Sequence, residues 1–247
     1  MRVHETGAFV LHSYALQEAD KIGVFFTREY GKIRGVARGA RKIRSRFGAS
    51  LEPLSEVWLT YQEKEGRELV TIRDCELLSS LFRVEIVPET EALIHSIVEL
   101  VDLFSAPHEP NEKVYRLIGA VRDCLAQGAR DWRQLLLYFE LWLLKLSGFF
   151  PDLDSCIRCG RMVPRWESVW ITVQGRPECR TCQSGSASVI LTPLLRREIS
   201  FMLTMSPARW MERCRSLEHL RPFHQFLCGL IRQALETEVK AWRFITF

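Results

Sequence analysis

Four of the eight cysteines are arranged as two pairs, and this arrangement is the strongest chemical signal in the 247-residue chain. Cys156 and Cys159 form one CxxC pair, Cys179 and Cys182 form a second, and 19 residues separate the two. Each CxxC turn directs two thiolates toward one point, and two such turns complete the tetrahedron that Zn²⁺ accepts. The spacing therefore predicts a structural four-cysteine zinc site with no coordination position left open for catalysis.

Two other uses of these cysteines stay open. A thioredoxin-type redox site needs one CxxC pair between a strand and a helix, whereas here two pairs lie in a segment of loop composition. Four cysteines can also hold an iron–sulfur cluster. Disulfides are not expected, because the N-terminal segment lacks the apolar run of a secretion signal and the other cysteines are isolated. We expect a soluble, cytoplasmic protein.

The positive charge of the chain is concentrated in residues 32–46. The whole chain carries +4, and this stretch holds seven cations and no acid, which leaves −3 for the rest. The seven cations are Lys32, Arg34, Arg38, Arg41, Lys42, Arg44 and Arg46. A local excess of this kind indicates contact with a polyanion, and a basic strand followed by a basic loop suits a phosphate backbone. The alternative is a solvated surface loop.

Two aromatic residues could add base stacking to this surface. Phe25 and Trp58 fall on the faces of their predicted strands opposite the main apolar sets, and an exposed aromatic ring can stack on an unpaired base. The alternative is that both residues pack against the helical part of the chain.

Hydrophobic periodicity indicates the elements that position these residues. Short strands are predicted over 7–14, 21–27, 32–38, 54–61 and 68–78, which is typical of a small antiparallel barrel. Helices are predicted over 88–104, 110–127, 131–148, 192–206, 207–216 and 217–240. The predicted organisation is a barrel at 1–80, a helical segment at 81–150, a metal module with a hairpin at 151–188, and a helical segment at 189–247.

Several function classes lack support in the sequence. The longest apolar run, 135–150, is interrupted by Glu140 and Lys145 and falls short of the roughly 18–20 residues of a membrane span. There is no GxxxxGK[ST], GxSxG or HExxH motif. The six histidines have no useful spacing to acids or nucleophiles, and His224 could face solvent. These observations favour a binding protein over an enzyme.

Several short motifs, taken in order, resemble the RecO family of bacterial recombination mediators. They are AFVLHS at 8–13, Gly31-Lys32, ARGAR at 37–41, LEP at 51–53, and FELWLL at 139–144 followed by Gly148 and the CxxC pairs. The resemblance runs from residue 1 to about 240. It implies an α+β protein with an N-terminal five-stranded OB-fold barrel and a helical domain into which a four-cysteine zinc module is inserted.

The resemblance also implies a function. Proteins of this family act in DNA repair by the RecF pathway, bind single- and double-stranded DNA, and anneal complementary strands. They act with RecR, contact the C-terminal tail of single-stranded DNA-binding protein (SSB), and help RecA load on SSB-coated DNA. This implies a nucleoid-associated protein without catalytic activity.

Some site residues follow from the resemblance. The seven cations of residues 32–46 match the DNA-binding face of the family. The SSB tail is acidic and ends in an aromatic residue with a free carboxylate, so its groove combines apolar and basic residues in the helical domain. Helix 131–148 offers Arg133, Tyr138, Trp142 and Lys145 for it. Tyr138 stands where the family tends to carry a basic residue.

Two other function classes remain open. One is an RNA-binding protein that combines an OB-type barrel with a zinc ribbon, such as a ribosome-associated factor. The other is a scaffold whose basic loop binds an acidic protein. The module itself is basic, which suggests a second DNA contact through Arg158, Arg161, Arg165, Arg176 and Arg180.

Overall fold

The computed structural model describes residues 2–81, 87–128, 131–183, 185, 187–214 and 218–245. The chain divides into two compact units. The first contains the described residues of 2–128 and 240–245, and the second contains the described residues of 131–239. The domain boundary predicted at residue 80 marks the change from strand to helix periodicity. In the structure the two helices that follow it belong to the same compact unit as the barrel.

Five strands of the first unit close into a barrel. They are β1 (Arg2–Leu16), β2 (Asp20–Thr27), β3 (Gly31–Ala37), β4 (Glu56–Glu63) and β5 (Val70–Ser79), in the order β1-β2-β3-β5-β4. Four neighbouring pairs are antiparallel, but β3 and β5 are parallel. The predicted small five-stranded barrel is confirmed, and one of its pairs is parallel because a closed ring of five strands cannot reverse direction at every step. The result is the five-stranded barrel of an OB-fold.

The middle of β1, residues 6–11, and the second half of β2, residues 23–27, are buried on both faces. Phe25 belongs to the cluster that fills the barrel. Its neighbours Val24 and Phe26 point to the opposite face of the strand and are buried as well. On the outer face of β1, Phe9 contacts the ring of Tyr115 at a centroid distance of 4.7 Å. Phe25 is therefore not available to bases, and it packs inside the barrel rather than against the helical part, because alternation does not separate core from surface where both faces are covered. Trp58 remains 43% exposed.

Two helices and a short 3₁₀ segment complete the first unit. They are α1 (Pro88–Phe104), α2 (Glu112–Ala126) and the segment Lys240–Phe244. The side chain of Asn111 accepts a hydrogen bond from the Val114 N–H and so caps α2. The Glu99 carboxylate on α1 accepts 2.8 Å hydrogen bonds from the backbone N–H groups of Lys240 and Ala241, which holds the 3₁₀ segment on α1.

The second unit consists of helices and a small sheet. The helices are α3 (Trp132–Leu146), α4 (Pro193–Thr204), α5 (Pro207–Arg213) and α6 (Arg221–Leu235), and the strands are β6 (Val169–Ile171), β7 (Pro177–Glu178) and β8 (Val189–Leu191). The sheet has the order β7-β6-β8. The predicted helix junction at 216–217 lies outside the described residues. None of the described helices combines the length and the apolarity that crossing a membrane requires.

Candidate metal centre and nucleic-acid interface

The two CxxC pairs converge in the second unit. The Sγ atoms of Cys156, Cys159, Cys179 and Cys182 all lie within 4.8 Å of one another, and those of Cys159 and Cys179 are 3.9 Å apart. The first turn is closed by the Gly160 N–H, which donates to the Cys156 carbonyl at 2.9 Å. Gly160 has a φ of 68°, a conformation that favours glycine. The four sulfurs are therefore arranged to hold one metal ion.

Backbone dipoles favour the thiolate form at two of these positions. Burial raises the pKa of a thiol, but at Cys156 hydrogen bonds from the backbone of Cys159, Cys179 and Arg158 outweigh it and bring the pKa down to about 6. The pKa of Cys179 is also lowered, by backbone hydrogen bonds that again act against burial. Because the thiolate is the form that binds metal, the lowered pKa values of these two thiols favour metal binding.

A single buried arginine holds the loops around this cluster. Arg196 on α4 is 4% exposed, and its guanidinium donates five hydrogen bonds. The acceptors are the carbonyl oxygens of Leu153, Val163, Pro164 and Glu167 and the Asp154 carboxylate, at 2.6–3.1 Å. All five belong to the segment between α3 and β6. The planar guanidinium thus ties together the backbone of a segment with very little regular structure.

Six of the seven cations in residues 32–46 lie on the surface of the first unit. Arg34, Arg38, Arg41, Lys42, Arg44 and Arg46 are exposed. Within the part of the chain that the structure describes, Arg34 is the member of this group with an ion pair, to the exposed Glu68 at 3.9 Å. Such an exposed pair holds a cation weakly. These six residues are called the basic surface below.

The loop that carries the basic surface is fixed at both ends. The Asp20 carboxylate accepts from the Gly39 N–H at 2.8 Å, and the Ala19 carbonyl accepts from the Arg41 N–H at 2.9 Å. At the other end Phe47 is 2% exposed and belongs to the barrel core, and the Arg46 guanidinium lies 4.9 Å from its ring centroid. The basic surface is therefore presented by a folded loop, in which the side chain of Ile43 is fully exposed.

Lys32, the seventh cation, is in a different environment. Its side chain is 14% exposed, and its Nζ lies 2.9 Å from the Asp102 carboxylate on α1. The position on β3 was predicted correctly as part of the alternating set, but the partner was not predicted. No sequence signal identifies Asp102, because it lies on a helix 70 residues further along the chain.

The arginines of the metal module are largely paired with acids. Arg158 forms a 2.7 Å ion pair with the buried Glu178, and Arg161 forms one of 2.6 Å with Glu167. Arg165 donates to the Ser200 hydroxyl at 2.9 Å. Arg176 and Arg180 are exposed and have no ion pair with any residue of the described ranges. Of the five arginines, these two are thus the ones best placed for a phosphate.

The four residues predicted for a partner groove do not form one groove in the structure. Tyr138 donates its hydroxyl to the Met205 carbonyl at 2.8 Å, and the Trp142 indole donates to the Met202 carbonyl at 2.9 Å, so both side chains join α3 to the end of α4. Arg133 forms a 2.7 Å ion pair with Asp131, the capping residue of its own helix. Lys145 is exposed.

Lys145 also lines an open cleft of about 610 Å³ in the second unit. Phe150, Ile199 and Leu203 give this cleft an apolar wall. Arg165 adds a second cation, which lies 3.7 Å from the Asp154 carboxylate, and Asp152 and Asp154 add two acids to the lining. The cleft therefore contains apolar and basic groups of the kind predicted for helix 131–148, together with two carboxylates, and it is built mainly from α4 and the segment after α3.

Comparison with known proteins gives consistent matches along the chain. The family model described as Recombination protein O N terminal matches residues 1–81, and that described as Recombination protein O C terminal matches residues 88–243. A DNA repair protein RecO of Koribacter versatilis is 43% identical over 63% of this chain and 63% of its own length. That of Syntrophotalea carbinolica is 33% identical over 97% of this chain and 92% of its own length.

Proposed function

Because the chain belongs to the RecO family of DNA repair proteins, we propose that it acts in recombination as a mediator without catalytic chemistry. It binds single- and double-stranded DNA, anneals complementary strands, and acts with RecR to help load RecA onto SSB-coated DNA in the nucleoid. The observation that carries the proposal is the basic surface, which presents six exposed cations from one folded loop and strand.

The chemistry of the basic surface suits strand annealing. Two DNA strands repel each other through their phosphates, and side-chain cations reduce that repulsion by displacing condensed counterions. Contacts to the phosphate backbone carry no sequence information, so the protein would accept any pair of complementary strands. Lys32 does not reach a phosphate in this proposal. Its contact with Asp102 holds β3, the strand that also carries Arg34, in place.

The four-cysteine cluster takes a structural role in the proposal, with Zn²⁺ as its metal. Four thiolates match the ligand set of structural zinc and fill all positions of the tetrahedron, so the ion holds the module together and takes no part in a reaction. The surrounding segment has little apolar core of its own, and metal binding stabilises such segments directly.

The cleft beside Lys145 is the proposed contact for the SSB tail. An acidic peptide that ends in an aromatic carboxylate needs an apolar wall and cations. Phe150 and Leu203 supply the wall and Lys145 supplies an exposed cation, and Arg165 would have to exchange its contact with Asp154 for the peptide. Tyr138, Trp142 and Arg133 act in this proposal as supports of α3. Binding the tail would raise the local concentration of the protein on SSB-coated strands without adding a DNA contact.

Annealing of two complementary labelled DNA strands, both coated with the cognate SSB, tests the proposed function. The unaltered protein should accelerate annealing, and an Arg41→Glu, Arg44→Glu variant should lose most of that acceleration. The matched control is Lys113→Glu, Arg116→Glu, which changes the charge equally at exposed positions of α2 in the same unit. Equal loss in both variants would show that net charge matters rather than this surface.

Salt dependence gives a second measure of the same contact. If about five cations of the basic surface touch phosphates, the affinity for single-stranded DNA should fall with a log–log salt slope of roughly −3.5. A slope near zero would overturn the proposed contact. Tighter binding to an RNA oligonucleotide of equal sequence would favour the RNA-binding class instead.

A further inference from the structure

A buried carboxylate in the second unit has no hydrogen-bond partner among the described residues. Glu140 on α3 is 0% exposed, and neither of its carboxylate oxygens accepts a hydrogen bond from a described residue. Buried carboxylates are normally hydrogen-bonded, because an isolated charge in an apolar interior is strongly unfavourable. The metal centre and the basic surface make no use of Glu140, so this side chain requires a separate explanation.

Two side chains of α6 that are able to bind a metal lie beside this carboxylate. The His224 Nε2 is 3.6 Å from a carboxylate oxygen of Glu140 and 3.4 Å from the Cys228 Sγ. His224 and Cys228 are four residues apart, so they project from one face of α6. The sequence shows this His-x₃-Cys spacing, but the third member comes from a different helix. His224, which the sequence left free to face solvent, has a side chain that is 12% exposed.

We propose that Glu140, His224 and Cys228 form a second metal site, which binds Zn²⁺ or another divalent ion of similar preference. The ligand atoms of the three residues lie within 4.8 Å of one another. In a tetrahedral zinc site, a nitrogen and an oxygen ligand are separated by about 3.3 Å and a nitrogen and a sulfur ligand by about 3.6 Å, as follows from the usual metal–ligand distances. The separations of 3.6 Å and 3.4 Å in the structure are close to these values.

The charge of the three ligands also fits a divalent cation. One carboxylate and one thiolate neutralise Zn²⁺, and a neutral imidazole adds no charge, so the loaded site carries no net charge in its buried environment. Without a cation, burial and the neighbouring Glu140 charge raise the pKa of Cys228, although Arg232 acts in the opposite direction. Metal binding therefore displaces the Cys228 proton to solvent and forms the metal–sulfur bond.

The position of the site indicates what it does. Glu140 belongs to α3, and the other two ligands belong to α6, so the ion would join two helices that pack against each other in the second unit. Three protein ligands leave one coordination position for water. The alternative is a metal-free ion pair between the Glu140 carboxylate and a His224 imidazolium.

Metal content of the full-length protein distinguishes these two arrangements. After saturation with Zn²⁺ and removal of the unbound ion, mass-spectrometric metal analysis should give two equivalents per chain. Cys228→Ser and Glu140→Gln should each reduce this to one equivalent, because both replacements keep the shape of the side chain and remove a charged ligand. The matched control, Cys124→Ser, changes a cysteine of the first unit that belongs to neither cluster and should retain two.

A measurement on the unaltered protein keeps the proposal testable if these variants fail to fold. Titration of the metal-free protein with Co²⁺ should show two successive phases, one with the thiolate charge-transfer intensity of four sulfurs and one with that of a single sulfur. One equivalent of Zn²⁺ in the unaltered protein, a single cobalt phase, or two equivalents in folded Cys228→Ser would each overturn the site. None of these results depends on DNA binding, so the proposed function is tested separately.

Discussion

The ammonium group of Lys32 lies 2.9 Å from the Asp102 carboxylate and donates a 2.6 Å hydrogen bond to the backbone carbonyl of the same residue. The backbone of Lys32 adds a third contact, because its carbonyl accepts from the His108 N–H at 3.1 Å. A cation from the most basic stretch of the sequence thus fastens β3 to the C-terminal end of α1 and to the segment that follows it.

Replacing Lys32 by methionine should therefore affect stability more than DNA binding. The change leaves the partly buried Asp102 carboxylate without its cation, and we expect the free energy of unfolding to fall by about 1–3 kcal/mol. Urea unfolding of the full chain measures this. Arg34→Met, at an exposed position on the same strand, is the control and should change stability by less than about 0.5 kcal/mol. An unchanged stability together with a tenfold loss of DNA affinity would assign Lys32 to the phosphate contact.

Loss of metal from the four-cysteine cluster should loosen the module and leave the basic surface intact. Cys159→Ser should lower the zinc content by one equivalent. It should also make residues 151–188 susceptible to limited proteolysis, because metal binding contributes the free energy that keeps this segment folded. Affinity for single-stranded DNA at the basic surface should stay within twofold, since that surface belongs to the other compact unit. An unchanged protease pattern in the metal-depleted variant would contradict a structural role.

Replacing the buried Arg196 should destabilise the second unit without removing a metal ligand. Arg196→Met removes five hydrogen bonds to the segment between α3 and β6, and we expect a loss of about 3–5 kcal/mol. Thermal unfolding followed by circular dichroism measures the effect. The neighbouring Arg197 is exposed on the same helix, so Arg197→Met is a matched control. Equal melting temperatures for the two variants would show that the hydrogen bonds contribute no net stability.

The thiol of Cys75 should make the barrel sensitive to alkaline pH. Burial raises its pKa to about 11 from a usual value of 9. Below pH 9 both the folded and the unfolded chain keep the thiol proton, so stability is unaffected. Between pH 9 and 11 the unfolded chain loses the proton more readily, and the stability contributed by the protonated thiol falls by up to about 3 kcal/mol.

Comparison with Cys75→Val isolates this effect from the lysines and tyrosines that titrate in the same range. The difference in unfolding free energy between the unaltered protein and the variant should be constant from pH 7 to 9. From pH 9 to 11 the unaltered protein should lose stability relative to the variant. Urea unfolding at each pH measures it. Parallel curves for the two proteins would show that Cys75 does not titrate on unfolding.

Features that depend on neighbours along the chain were predictable from the sequence. Helix α1 was predicted at 88–104 and is observed over Pro88–Phe104, because its proline, acidic first turn and apolar period are all local signals. The convergence of Cys156 and Cys159 follows from their separation by two residues, which backbone geometry translates into one turn. The basic surface is likewise a property of a continuous stretch.

Tertiary structure alone decided what the distant residues do. Closure of the barrel placed Phe25 inside and made β3 parallel to β5, and packing of α1 on the barrel brought Asp102 to Lys32. Packing of α3 against α6 placed Glu140 beside His224 and Cys228. Spacing along a chain fixes which side chains share one turn or one strand face, because covalent geometry acts over a few residues. Which face becomes buried, and which charge finds a partner, depends on contacts between elements that only the folded chain brings together.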